Sequence, residues 1–249
     1  MDEGTLLARL WDGFARLQLL LGGHAGQGRT LECDGLVASI VPNAPESPTL
    51  NAAVALEPEQ ADRRLDELAQ LYAQAKIRRW GVWLDGHASL AAQALSQHGM
   101  VVTTASPGMG AAIADVASTA QEETMPADLA TVGRVNDIAY GNYDGRLERT
   151  LTPLPNNVLK GYQAALNGSP AAVALALYHD QDAGISFVAT VPKARRRGLA
   201  TQVMQQALAE AQQAGCTTTT LQATEVGERL YTALGYRRLT VMQLWERRP

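Results

Sequence analysis

The chain has 249 residues, 46% hydrophobic and 18% charged, with a formal net charge of −4. This composition supports one large or two small folded domains and excludes a disordered chain. The acidic balance argues against nucleic acid or an anionic membrane as partner. Two distant cysteines, Cys33 and Cys216, and four scattered histidines give no disulfide framework and no metal-ligand spacing, so no metal is expected and a reducing, cytoplasmic setting is.

Residues 5–21 place Leu6, Leu7, Leu10, Trp11, Phe14, Leu17, Leu20 and Leu21 at helical spacing. The segment is not a signal peptide, because Asp2 and Glu3 open it and Arg9, Asp12 and Arg16 interrupt it. No apolar run is long enough to cross a membrane. A glycine-rich loop at 22–28 resembles a phosphate loop in composition alone. A strand is predicted at 31–41, a proline-rich connector at 42–50 and a second strand at 51–57. Ala61, Leu65, Leu68, Leu71, Tyr72 and Ala75 mark one face of a helix over 59–78. A short strand at 79–84, a helix from Ser89 to Gln97 and two strands around Ser106-Pro107-Gly108 within 100–116 complete the first half. The small, polar stretch 117–126 predicts a boundary between a domain at 1–116 and one at 117–249.

The second half reads as a helix at 127–140, an irregular stretch at 141–157 and a helix at 157–167. Strands follow at 171–178 and 183–191, joined by a turn at His179–Asp182. A helix at 198–214, a strand at 216–223, a helix at 226–234 ended by Gly235 and a strand at 236–246 close the chain. The fold class is mixed α/β.

The chemistry concentrates where the strand ending at Val191 meets the helix opening at Gly198. A helix N-terminus carries free N–H groups and the positive end of a dipole. Residues without bulk let a phosphate reach that backbone, and Arg195, Arg196 and Arg197 add positive potential. Alone, this run reads equally well as a solvated basic turn. The wider pattern, Pro192-x-x-Arg195-x-x-Gly198-x-Ala200 between an apolar strand and a helix, resembles the acetyl-CoA signature of the GNAT superfamily of N-acetyltransferases. Thr224-x-x-Gly227-x-x-x-Tyr231-x-x-x-Gly235-Tyr236 resembles that superfamily's second motif, and the likeness spans about residues 113–246.

The resemblance implies a GNAT-like acyl-CoA N-acyltransferase fold and acetyl-CoA as cosubstrate. It assigns Val188, Ala189, Thr190 and Val191 to the pantetheine arm, and the loop Arg195, Arg196, Arg197, Gly198, Leu199, Ala200 and Thr201 to the pyrophosphate. Thr224 stands where many members have asparagine or serine, and Tyr231 matches the tyrosine that protonates the departing thiolate. Tyr231 also fits an ordinary core tyrosine beside Leu230 and Leu234. No general base can be singled out among Glu122, Glu123, Asp144, Glu148, His179 and Glu225. The stretch Tyr140-Gly141-Asn142-Tyr143-Asp144-Gly145 lies where the family places acceptor loops and fits plain turn residues equally well.

The first half echoes the second. Setting Pro58 against Pro192 places the helix at 59–78 on the cofactor helix, and Gly99 near Gly235. Arg195, Gly198 and Ala200 then fall on Ala61, Arg64 and Asp66, and Tyr231 on Leu95. The expectation is a degenerate GNAT-like unit that cannot hold CoA, building one wall of an acceptor cleft. The competing account is an unrelated α/β cap of similar spacing. The predicted activity is acetyl transfer from acetyl-CoA to the primary amine of a small molecule. The alternative is a non-catalytic acyl-CoA sensor. A homodimer, with the Trp245 strand contributing, is a further expectation.

Overall fold

In a computed structural model, residues 1–119 and 124–247 are described. Helix α1 (Glu3–His24) opens on Asp2, whose carboxylate accepts from the Thr5 N–H at 2.9 Å as an N-cap. The single strand predicted at 31–41 is a hairpin, β1 (Arg29–Cys33) and β2 (Leu36–Ile40). Cys33 pairs Leu36 around Asp34-Gly35, and Gly35 has φ +70°. Strand β3 (Ala52–Ala55), helix α2 (Pro58–Gln74), strand β4 (Trp80–Asp85) and helix α3 (Ser89–Gln97) follow as predicted.

The two strands expected within 100–116 are one, β5 (Met100–Ala112). It passes through Pro107 and Gly108 because Gly108 lets Leu10 of α1 press on the strand, 2.6 Å from where a Cβ would stand. Of the predicted boundary at 117–126, residues 120–123 lie outside the described residues, and 124–127 form strand β6 (Thr124–Ala127). Helix α4 (Leu129–Tyr140) ends on Gly141 at φ +74°. Within the stretch expected to be irregular lies a short helix, α5 (Arg146–Leu151).

The helix predicted at 157–167 is instead strand β7 (Leu159–Leu166). Asn167 and Gly168, both at positive φ, turn it directly into β8 (Ser169–His179). The Asn-Gly pair is a two-residue hairpin turn. Strand β9 (Asp182–Thr190), helix α6 (Leu199–Gln213), strand β10 (Thr218–Gln222), helix α7 (Glu225–Leu234) and strand β11 (Arg237–Arg247) complete the chain.

The described strands form one 11-stranded sheet in the order β1-β2-β3-β4-β11-β5-β10-β9-β8-β7-β6. Two pairs are parallel, β3 with β4 and β9 with β10. The order reads almost alike from its centre outward: β4 answers β10, β3 answers β9, β2 answers β8 and β1 answers β7. Each half contributes strand, helix, parallel strand, helix, strand. The closing strands are exchanged: β5 lies beside β10, and β11 beside β4.

Helix α1 straddles this centre. Leu6, Leu10 and Trp11 pack with Val54, Trp83 and Met242, while Leu17 and Leu21 join the second half's core. A polar tether fixes it further. The Arg9 guanidinium donates to the hydroxyls of Thr217 (2.9 Å) and Thr218 (2.6 Å). Thr218 and Thr220 in turn donate to the buried Asp182 at 2.6 and 2.7 Å. Burial raises the pKa of Asp182, opposed by those hydroxyls and by Arg9. On the opposite face of the first half's strands, α2 and α3 bury Leu65, Leu68, Tyr72 and Leu95 against Leu36, Ala38 and Ile40.

Candidate active site

Strand β9 is held on both sides at its start and on one side at its end. Its pairing with β10 runs from Asp182–Thr218 to Ile185–Leu221 and stops. β10 ends at Gln222, so β9 runs on past its partner, paired there to β8 alone through Ala189–Val173 and Thr190–Ala172. The Val191 N–H donates to the Ala171 carbonyl at 2.9 Å on the β8 side. Strand alternation therefore turns the Thr190 N–H and carbonyl away from β8, and that carbonyl accepts from Arg195 Nε at 3.2 Å. The Thr190 N–H, with the Val188 backbone in the register shift beside it, is the part of this strand left for the pantetheine arm that the resemblance implies.

A bulge interrupts β9 within this stretch. Three steps from Ser186 to Ala189 oppose two from Leu175 to Val173, and Phe187 stands at φ +51°. A bulky residue in the left-handed region costs about 1–2 kcal/mol, so neighbouring contacts must hold it there. One such contact is visible: the amide of buried Asn136, on α4, donates from Nδ2 to the Phe187 carbonyl at 3.3 Å.

The loop after β9 turns through a short 3₁₀ segment (Pro192–Ala194) into α6. Arg196 at φ +61° follows the extended Arg195, and Gly198 at φ +78° precedes the first helical residue, Leu199. Gly198 is needed for this conformation and not for space, since an added Cβ would meet nothing within 4 Å. The first helical bond runs from the Gln202 N–H to the Gly198 carbonyl at 3.0 Å. Among the described residues, the N–H groups of Arg196, Arg197, Gly198, Leu199, Ala200 and Thr201 have no backbone acceptor. Six free donors at the positive end of a 15-residue helix suit an anion.

All three arginines are exposed. Arg195 differs in reaching back to the backbone, its Nε donating to the Thr190 carbonyl (3.2 Å) and its Nη2 to the Ala139 carbonyl (2.9 Å). It braces the end of β9 against the last turn of α4.

Tyr231 comes from α7. The hydroxyl of Thr224 caps that helix by accepting from the Gly227 N–H at 3.1 Å, so its side chain serves the helix. Gly227 lets the tyrosine ring fold back: a Cβ there would stand 3.2 Å from Tyr231 Cε2. The ring is buried, meets Tyr236 edge-on at 6.0 Å and belongs to the cluster holding Ala189, Val191 and Leu199. Burial, with a smaller contribution from the Tyr140 phenol, raises its pKa well above that of a free phenol, so it stays protonated at neutral pH.

The base candidates do not converge. Glu122 and Glu123 lie outside the described residues. Glu148 pairs with Arg134 at 3.2 Å, and Asp144 with Arg146 at 3.0 Å, which lowers the Asp144 pKa. His179 sits in the β8–β9 turn, its Nε2 2.9 Å from both Asp12 and Asp180. That is the far end of β9 from Val188, roughly 20 Å along the strand. Asp12, His179 and Asp180 are also the one group among the described residues whose metal-ligating atoms cluster. Glu225 occupies the first turn of α7. In the loop after α4, Tyr140 and Tyr143 are exposed, and the Thr150 hydroxyl meets Asn43 of the first half at 3.4 Å.

The echo in the first half has a different geometry from the one its sequence predicts. Helix α2 begins three residues after β3 ends, at Pro58 against Ala55, whereas α6 begins nine after β9, at Leu199 against Thr190. No turn like that before α6 precedes α2, so Ala61, Arg64 and Asp66 are helical residues and not counterparts of the loop. Pro58 removes an N–H, and Glu57 and Glu59 put negative charge at that helix start. The match of Tyr231 with Leu95 does coincide: each is the seventh residue of its helix, and both are buried.

These features define an acyl-CoA N-acyltransferase fold. Residues 135–236 match the model of the acetyltransferase (GNAT) family, and that segment is a GNAT domain. A GCN5-related N-acetyltransferase from Kribbella flavida superposes with a TM-score of 0.68, at 21% identity, covering 96% of this chain and 94% of that one. A functionally unknown conserved protein from Staphylococcus epidermidis gives 0.62 at 11% identity, covering 88% and 94%. A GCN5-related N-acetyltransferase from Sphaerobacter thermophilus gives 0.57 at 15%, covering 88% and 83%. No curated protein matches the sequence. The family implies acyl-CoA-dependent acyl transfer. No helix among the described residues is long and apolar enough to cross a membrane.

Proposed function

We propose that the protein is an N-acetyltransferase that moves an acetyl group from acetyl-CoA to the primary amine of a small molecule, with residues 117–249 carrying the site and residues 1–116 completing its sheet. The observation that carries this reading is the stretch of β9 from Ser186 to Thr190 that runs on past the end of β10 and leads to the six free N–H groups of residues 196–201. Those N–H groups, with Arg196 and Arg197, fit a pyrophosphate. The backbone of Val188 and Thr190 fits the amides of a pantetheine arm, with Ala189 and Val191 lining it.

Holding thioester and amine side by side supplies much of the rate. The amine nitrogen attacks the thioester carbon, and the Val188 N–H steadies the charge gathering on the carbonyl oxygen. As the carbon–sulfur bond breaks, Tyr231 gives its proton to the departing sulfur; the proton of the new ammonium leaves to water, and water returns a proton to the Tyr231 phenolate. The products are an acetamide and free CoA thiol. The loop Tyr140–Gly145 faces the acceptor, with Tyr143 offering an aromatic surface.

A thiol-release assay across a panel of small primary amines tests this proposal. Amine-dependent release of CoA is the expected result. Binding of acetyl-CoA without release for any amine would favour the acyl-CoA sensor instead.

A further inference from the structure

The buried amide of Asn136 and the bulge in β9 are joined by one hydrogen bond. Asn136 lies on the inner face of α4, and its Nδ2 donates to the Phe187 carbonyl. Phe187 is the residue at φ +51° at which β9 breaks register with β8. The Phe187 carbonyl and the Val188 N–H belong to one planar trans peptide, so they point in opposite directions. A donor that holds the carbonyl on the α4 side therefore aims the N–H away from α4. Val188 lies beyond the last β9–β10 pair, Ile185–Leu221, where β9 has β8 as its one strand partner. The strain at Phe187 is of the same size as one hydrogen bond, so losing the Asn136 donor frees this peptide to tilt.

We infer that Asn136 is a positioning residue: by holding the Phe187 carbonyl it aims the Val188 N–H at the thioester carbonyl oxygen. This rests on the reading of that end of β9 as the acyl-CoA site. It also assigns α4 a role in the chemistry, because Arg195 clips the same helix to the same strand through the Ala139 carbonyl.

The experiment uses the full chain with acetyl-CoA labelled with carbon-13 at the carbonyl, and measures the infrared carbonyl band and the affinities for acetyl-CoA and CoA. In the native protein the bound band should lie at lower frequency than in free acetyl-CoA. In Asn136→Leu, and in the nearly isosteric Asn136→Asp, the band should return toward the free position. Acetyl-CoA binding should weaken about five- to tenfold, the loss of one hydrogen bond, while CoA binding changes less than about twofold. A merely structural role for Asn136 would weaken both ligands alike and leave the band of the bound fraction in place. Should either variant fail to fold, the native protein still decides the matter. The Val188 amide resonance should move on adding acetyl-CoA and stay nearly still on adding CoA. An unshifted band with both ligands bound, or a Val188 resonance that moves equally with both, overturns the inference and leaves the proposed site standing. Failure of the native protein to bind either ligand overturns both.

Discussion

Gly198→Asp puts a carboxylate at a loop position that stands at φ +78° and whose side-chain space is empty. Two effects follow, and they separate. Without ligand, the left-handed conformation costs a non-glycine residue about 1 kcal/mol, which for a chain of this size lowers the midpoint of thermal unfolding by about 2–4 °C. With ligand, the carboxylate faces the anion that the six free N–H groups are arranged to hold. At about 4 Å and an effective dielectric constant of about 20, a like-charge contact costs roughly 4 kcal/mol. A ligand at about a hundred times its dissociation constant stabilises the native chain by roughly 2.7 kcal/mol, or about 5–10 °C. The repulsion exceeds that gain. Scanning calorimetry with and without acetyl-CoA should therefore show the shift in the native chain and its loss in Gly198→Asp. Gly198→Ala, which carries the strain without the charge, should unfold slightly earlier and keep most of the shift. An equal shift in Gly198→Asp and the native chain would place the phosphates somewhere other than the start of α6.

Tyr231→Phe should cut acceptor-dependent turnover about tenfold to a hundredfold while leaving the acetyl-CoA thermal shift intact, because the phenol acts on the leaving sulfur and not on binding; an unchanged rate removes it from the mechanism. Gly133→Ala should destabilise by about 2–3 kcal/mol in denaturant unfolding, since the added Cβ would stand 2.4 Å from Glu148 Cα where α4 crosses α5. Residues 117–249 expressed alone should fail to give a cooperative unfolding transition, because β10 loses β5 and β11 loses both its neighbours. Adding residues 1–116 in trans should restore that transition, and a stable isolated second half would refute the exchange of strands.

Much of this architecture is written in local pattern. The apolar faces of α1, α2 and α6 and the order strand, loop, helix around Gly198 follow from spacing and turn chemistry. So does the seventh-position match of Tyr231 with Leu95, because helix periodicity is a local property. The misreadings have local causes too. Leu159–Leu166 is rich in helix formers, yet Asn167-Gly168 beside it is a hairpin turn, and Gly161 lies flat against the Ala127 carbonyl, 2.4 Å from where its Cβ would be. Asp34-Gly35 likewise folds one apparent strand into two. Pro58 and Pro192 are alike in residue type alone: Pro58 begins a helix, whereas Pro192 begins the turn that precedes one. What spacing could not show is non-local. The bond from Arg195 to the Ala139 carbonyl, the bond from Asn136 to Phe187 and the placing of β11 between β4 and β5 each join residues distant in sequence.

The exchange of closing strands has a consequence for how such a chain can change. Each half lends its final strand to the middle of a sheet the other half needs, so neither can be discarded without unravelling its neighbour. The loan is made in backbone hydrogen bonds and apolar side chains, and it asks nothing of the loop before α2. In an assembly of two identical subunits, every substitution in a cofactor loop strikes both copies at once. Joined in one polypeptide, the halves are released from that constraint. One can go without the turn found before α6, fill the tyrosine position with leucine and still be retained for its strands.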